Sequence, residues 1–395
     1  MTCSSSISTY VQLDDIVSKC DDSWVTKQVN SEPAPSEVLH YTKKSDGSKC
    51  YDDKSGLKVL KIPIGRTKGK ERKNRKTKTN IIGADLSIGA GSFLKRENKD
   101  VFSLQDVFDA VEHLVETSAN KEKEKLRLQR SIISTRRTLL KLMLLPVNTC
   151  KSFAFDIISY KGLIILNYDW DDVQDLTQSL QNFSLETQRL QQYSGFAFED
   201  LVTESSAADQ ASEYYSLFRS EYSNFDLLFS AEIDAATDIK GGPSNYVELK
   251  THSDGCARSP VSISRKFLHS WCQTKLVAGK HVVIGFRSKD YKITSVKAYS
   301  TSDLPNSISL SLLRPSPLDT LSCNKIKAKY HHLVSWIYQT ALSLSRDGEL
   351  RQFKLVCNAD HNEDHSISLI ASETDLFSTK HKPALTPNWL KDYLG

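Results

Sequence analysis

A chain of 395 residues with 39% hydrophobic and 25% charged side chains has the composition of a folded globular protein, and its length suits one large domain or two. It contains no run of about 18 apolar residues, which excludes a membrane-spanning helix, and its opening residues lack the basic and apolar regions of a secretory leader, so an intracellular protein is expected, cytoplasmic before nuclear. Eight scattered cysteines without a Cys-x-x-Cys pair argue against a structural zinc site and suit reduced thiols.

The formal net charge of +4 is unevenly placed: Arg66–Lys78 carries eight Lys or Arg against one Glu, so the rest of the chain is net negative. This block lies in the polar stretch 65–80, which reads as a basic loop; a solvated loop, an RNA-backbone contact and a nuclear import signal are all open for it. Residues 1–36 are polar and Ser-rich and read as an N-terminal arm, flexible or loosely packed, ahead of a single α and β domain over 37–395. Leu57–Ile62 reads as a strand, and Phe102–Glu116 as a helix with Ser103 as its N-cap. A second helix is expected over Lys121–Leu145, stopped by Pro146. Lys151–Tyr160 and Gly162–Tyr168 form a hairpin pattern turning at Lys161–Gly162, closed by the acidic run Asp169–Asp172, which reads as a helix cap rather than a metal site. Helices are expected over Asp172–Gln192 and Phe198–Phe218, which places Glu199 near a helix start.

The next stretch is the most informative. Asp226–Asp234 and Tyr246–Thr251 read as two strands around a polar turn holding Gly241, Gly242 and Pro243. Side chains alternate along a strand, so Glu232 and Asp234 are expected on one face of the first strand, Glu248 and Lys250 on one face of the second. If the faces meet, three carboxylates and one ammonium converge. Such a cluster is costly without a counter-ion, and hard oxygen ligands suit Mg²⁺ or Mn²⁺. Solvated strand edges are the bland alternative. An Asp followed by Glu-x-Lys is the pattern of PD-(D/E)xK nucleases.

Farther on, Ser262–Ala278 reads as a helix ended by Gly279, with Phe267 and Trp271 on one face as core packing rather than an RNA platform. His281–Ser288 and Lys292–Ser300 read as a hairpin, Lys327–Ser345 as a long helix, and Phe353–Ala359 and Ser366–Ser372 as late strands. His331 and His332 point about 100° apart on a helix; they and the pair His361 and His365 read as surface histidines.

Taken in order, TRRTLLKL (Thr135–Leu142), GFAFE (Gly195–Glu199), AEIDAATD (Ala231–Asp238), YVELKT (Tyr246–Thr251) and SWCQTKLVAGKHVVIGFR (Ser270–Arg287) resemble the DXO family of decapping exoribonucleases, in a fungal member. DLSIGAG from Asp85 extends the likeness toward the N-terminus. The resemblance implies an α+β fold: two twisted mixed β-sheets surrounded by helices, with the active site between the sheets. It implies metal ligation by Glu199, Glu232, Asp234, Glu248 and the backbone carbonyl of Leu249, with two Mg²⁺ or Mn²⁺ ions. Glu199 and Asp234 are the catalytic acids among them; Lys250 and Gln273 hold the scissile phosphate or attacking water, and Arg136 contacts RNA near its 5′ end. Departures from the family pattern are Arg137 in place of Gly, Ala197 in place of Lys, and Ala278-Gly279-Lys280-His281 in place of Gly-x-Pro-Arg.

The function implied is hydrolytic removal of incomplete or non-canonical caps, NAD-type caps included, with 5′-to-3′ exoribonuclease activity, in mRNA 5′-end quality control. The partners implied are capped and 5′-monophosphate RNA ends, with a protein partner left open. A DNA nuclease of the same type and a non-catalytic subunit stabilising another exoribonuclease are the alternatives. Four acids held together argue against the latter.

Overall fold

The computed structural model describes residues 8–12, 33–64, 81–93, 104–147, 153–168, 184–205, 211–313, 321–345, 349–359 and 365–371. The basic stretch 65–80, Ser103, the acidic run Asp169–Asp172, His361 and most of 1–36 lie outside them.

Two mixed sheets carry the fold. The larger has ten strands, in the spatial order Ser8–Gln12, His365–Ala371, Arg351–Ala359, Phe153–Tyr160, Leu163–Tyr168, Ser131–Thr135, Asp226–Glu232, Glu213–Glu221, Ser36–Lys43 and Lys49–Tyr51. The smaller has six: Ile293–Ser300, His281–Arg287, Tyr246–Ser253, Ala235–Ala236, Val59–Leu60 and Thr203–Glu204. Both hairpins read from the sequence are present, and Lys161 and Gly162 turn the first with positive φ. Among the described residues no helix is long and apolar enough to cross a membrane.

Three of the expected elements are corrected. Lys121–Leu145 is not one helix. It divides into the helix Lys121–Leu128, the strand Ser131–Thr135 and the helix Arg136–Met143. The strand is β-branched and apolar at its centre, lies parallel to both neighbours, and buries Ile132 on one face and Ile133 on the other. Burial on both faces removes the alternation that marks a strand, so the run passes for a helix. Thr135 then caps the second helix by accepting from the Thr138 amide. In the same way Phe198–Phe218 is not a helix. Leu185–Val202 is one helix capped by Ser184, and Glu213–Glu221 is a strand between Asp226–Glu232 and Ser36–Lys43. Glu199 therefore lies in a last turn, not a first. Finally, the strand from Asp226 stops at Glu232.

Alternation sets the core. Leu227 and Phe229 face the main cluster with Val282 and Ile284 of the smaller sheet, while Leu228 faces the helix Gln105–Thr117. Phe267 and Trp271, on the helix Pro260–Leu276, are buried in the main cluster, so they are core packing as expected. A third cluster places Phe198 and Val202 against Val247, Leu249 and Val283 of the smaller sheet. His331 is not a surface residue: it is half-buried, with Nδ1 2.6 Å from the Tyr222 hydroxyl.

Candidate active site

The chain leaves the larger sheet at Glu232 and joins the smaller at Ala235, where Ala235 pairs with Val247. Asp234 sits on that crossover. Its carboxylate accepts from the Leu249 amide at 2.8 Å, which ties the crossover to the middle of the strand Tyr246–Ser253. Glu232 and Asp234 thus do not share a strand face; Glu232 lies opposite Tyr215 in the larger sheet. Glu248 and Lys250 do share one, and Lys250 Nζ donates to Glu248 Oε1 at 2.5 Å and lies 3.8 Å from Asp234 Oδ2.

Arg136 opens the helix that follows the central strand Ser131–Thr135, so the larger sheet delivers it to the junction. It donates from Nη1 to Glu248 Oε2 at 2.8 Å. Glu248 therefore has a cation on each oxygen. Glu199 comes from the helix packed on the smaller sheet. That helix is held close because the Phe198 ring lies over Gly285, where an added Cβ would come within 2.5 Å of it. Lys58 Nζ reaches Glu199 at 4.0 Å and Asp200 at 3.1 Å. The Glu248 side chain is 3% exposed, whereas Glu199 and Lys250 keep 25% and 28%. The site is a depression with Glu248 on its floor and Glu199 and Lys250 open to solvent.

Electrostatics divide the acids. Burial alone would raise the Glu248 carboxyl, but Arg136 and then Lys250 outweigh it and hold it below the ordinary range. Asp234 moves the other way: burial and then the Glu248 charge push it up. Glu199 is raised by burial, then by Asp234 and Glu232. Burial works to discharge Lys250, yet the charges of Glu248 and Asp234 keep its ammonium above its ordinary value.

Among the described residues no three His, Cys, Asp or Glu side chains are grouped so as to hold a metal ion as they stand. Glu248 faces cations instead. The donor chemistry nonetheless fits a hard divalent ion. Four carboxylates approach one junction, and two of them, Asp234 and Glu199, are pushed up by desolvation and by neighbouring carboxylates. The Leu249 amide is used to hold Asp234; its carbonyl as a ligand remains an expectation from the resemblance.

The structure thus brings together Arg136, Asp234, Glu248 and Lys250 by direct contact and adds Glu199 and Glu232 by charge. Gln273 stands apart from these contacts. Its Oε1 lies 3.0 Å from His269 Nδ1, and His269 feels the Lys250 and Glu248 charges. Sequence reasoning missed His269, although spacing of four on a helix could have found it. It also missed Lys58, which no local pattern marks. Arg137 is exposed as a residue; crowding around its guanidinium pulls it below its ordinary value, and the Glu232 charge opposes that.

Several known proteins resemble the chain in sequence or in fold. "Decapping nuclease RAI1" of Candida albicans is 22% identical over 359 residues, covering 81% of this chain and 85% of that protein. "Decapping and exoribonuclease protein" of Xenopus laevis is 26% identical over 300 residues, covering 69% of each. In three dimensions the chain resembles Scheffersomyces stipitis Rai1 in complex with (3'-NADP)+ and calcium ion, with a TM-score of 0.74 at 18% identity over 100% of this chain and 99% of that one. It also resembles Candida albicans Rai1 in complex with pU5-Mn2+, with a TM-score of 0.68 at 20% identity over 91% and 97%. The sequence pattern of the family described as "RAI1 like PD-(D/E)XK nuclease" matches residues 33–391. That span takes in every strand of both sheets except Ser8–Gln12, and with it the whole of the acid-bearing junction; the chain belongs to the family of RAI1-like PD-(D/E)XK nucleases.

Proposed function

We propose that the protein is a divalent-metal-dependent hydrolase that removes incomplete or non-canonical caps, NAD-type caps included, from RNA 5′ ends and then degrades the RNA 5′ to 3′. The observation that carries this reading is the meeting of Asp234, Glu248 and Lys250 where the chain passes between the sheets. Support comes from the names of the relatives and from the RNA, dinucleotide, manganese and calcium bound in the related structures.

We assign two Mg²⁺ or Mn²⁺ ions to Glu199, Glu232, Asp234, Glu248 and the Leu249 carbonyl. When bound, such ions activate water and neutralise charge on the attacked phosphate. The chain's own part follows from the contacts. If Glu248 holds metal, the ion would compete with Arg136 and Lys250 for its oxygens. Lys250, the more exposed of the pair, is then available to meet the phosphate, with Gln273 holding phosphate or water. Arg136 stays close by to face the RNA 5′ end.

The test is the Glu232→Ala/Asp234→Ala variant with cap-labelled and 5′-monophosphate RNAs. Loss of both activities is expected, with an unchanged circular dichroism spectrum, and a rise in Tm with Mn²⁺ is expected for the wild type and not for the variant. Survival of one activity alone would mean two separate sites. Turnover by wild type in excess EDTA would refute metal dependence, and equal cutting of a matching DNA strand would favour a DNA nuclease.

A further inference from the structure

An aromatic surface lies beside the acids. The helix Leu185–Val202 turns Phe198 and Val202 into the smaller sheet. At about 100° per residue Phe196 projects nearly opposite Phe198, and it stands one turn before Glu199, about 4.5 Å back along the axis. Phe196 is 40% exposed. Its ring centroid is 5.3 Å from that of Phe93, and Phe93 is 5.5 Å from Tyr193. The three rings form one cluster, backed by a fixed loop. The Tyr193 hydroxyl donates to the Ile88 carbonyl at 2.6 Å. The loop is fastened to the smaller sheet by the Leu86 amide on the Tyr291 carbonyl at 2.9 Å and the Gly83 amide on the Ile293 carbonyl at 2.7 Å.

We propose that Phe196, backed by Phe93 and Tyr193, is a stacking platform for one unpaired base of the RNA whose phosphate the acids address; this rests on the RNA-hydrolase reading above. The helix already has its buried face, so the outward ring is not needed for the core. Phe196 with the neighbouring exposed Ile88 makes too small an apolar patch for a protein interface. An aromatic face accepts any base, which suits an enzyme that must advance along RNA of any sequence. Its place one helical turn from Glu199 puts a stacked base next to the phosphate under attack.

The test uses the full chain in Ca²⁺ and fluorescein-labelled single-stranded RNA, with RNA integrity checked on a gel. Phe196→Ala is expected to weaken binding about tenfold. Phe196→Leu should do the same, because it keeps apolar bulk and loses the ring, and Phe196→Trp should restore affinity. In a set of RNAs each abasic at one nucleotide, one position should cost wild type a similar factor and cost Phe196→Ala nothing further. Wild-type affinity in Phe196→Leu, or a Phe196→Ala loss that is the same on every abasic RNA, overturns the platform. Wild type that shows the signature but leaves RNA uncut in Mn²⁺ fells the hydrolase reading alone. Wild type that binds no RNA fells both.

Discussion

Glu248 has Arg136 on one oxygen at 2.8 Å and Lys250 on the other at 2.5 Å, and this fixes what Lys250 can do. Held as an ammonium by the acids beside it, Lys250 is a fixed positive charge and not a base. Lys250→Ala is therefore expected to lower kcat by about 100-fold with a much smaller change in KM. A raised KM with kcat intact would make it a ground-state binder. His269 acts one step farther out. To donate to Gln273 Oε1 its Nδ1 must carry the proton, and the Gln273 amide then presents its NH₂ outward. Although the residue is exposed, crowding around the imidazole, and then the Lys250 and Lys266 charges, work against a second proton on the ring. His269→Ala is expected to cost about tenfold in kcat and nothing further in a Gln273→Ala background, with partial recovery in His269→Asn. Additive losses would show that the two side chains act separately.

At the scale of elements, the helix Pro260–Leu276 ends in a motif where the Gly279 amide bonds the Thr274 carbonyl at 2.9 Å and the Ala278 amide bonds the Lys275 carbonyl at 3.3 Å. The left-handed residue there is Ala278, with φ of 55°, and not Gly279. Gly279 is required for a different reason: a Cβ would lie 2.8 Å from Thr274 Cγ2. Ala278→Gly is expected to stabilise the protein by about 1 kcal/mol, read as a rise in Tm, since it removes the steric cost of a left-handed alanine. No change would mean that the entropy glycine adds to the unfolded chain offsets the relief. The first hairpin was legible because its turn carries Gly162, and the Glu248-x-Lys250 strand because the polar turn with Gly241, Gly242 and Pro243 bounds it. Ser131–Thr135 was not, because both its faces are buried. Nor was the end of the strand at Glu232: nothing in AEIDAATD distinguishes a strand that continues from one that changes sheets. Alternation put Glu232 and Asp234 on one strand face, which the crossover between the sheets rules out, while the family motifs pointed to acids that approach one junction.

Across the whole molecule, the half-buried His331 and the buried His252 tie stability to pH. Burial, then the Lys327 charge, pulls His331 from its ordinary 6.5 down to about 3, and burial with Lys266 pulls His252 down to about 4. Between those values and 6.5 the unfolded chain binds more protons than the folded one. Their contribution is therefore complete above about pH 6.5 and is lost as pH falls toward 4. Glu199 and Asp234, raised in the fold, work in the opposite sense. Comparing His331→Gln with wild type cancels them, and the variant is expected to lose less stability between pH 6.5 and 4 in urea titrations. An equal slope would mean that His331 is protonated in the folded state. The crossover at Asp234 has its own consequence. Asp234, Glu248 and Glu199 are held to the smaller sheet while Glu232 and Arg136 are carried by the larger, so a slip of one sheet over the other would move the second set against the first. Each sheet can keep its hydrogen bonds through a shift that ruins the spacing of the two sets. Loss of activity is thereby expected to precede unfolding, with a tolerance set by the packing between the sheets rather than by the strength of either.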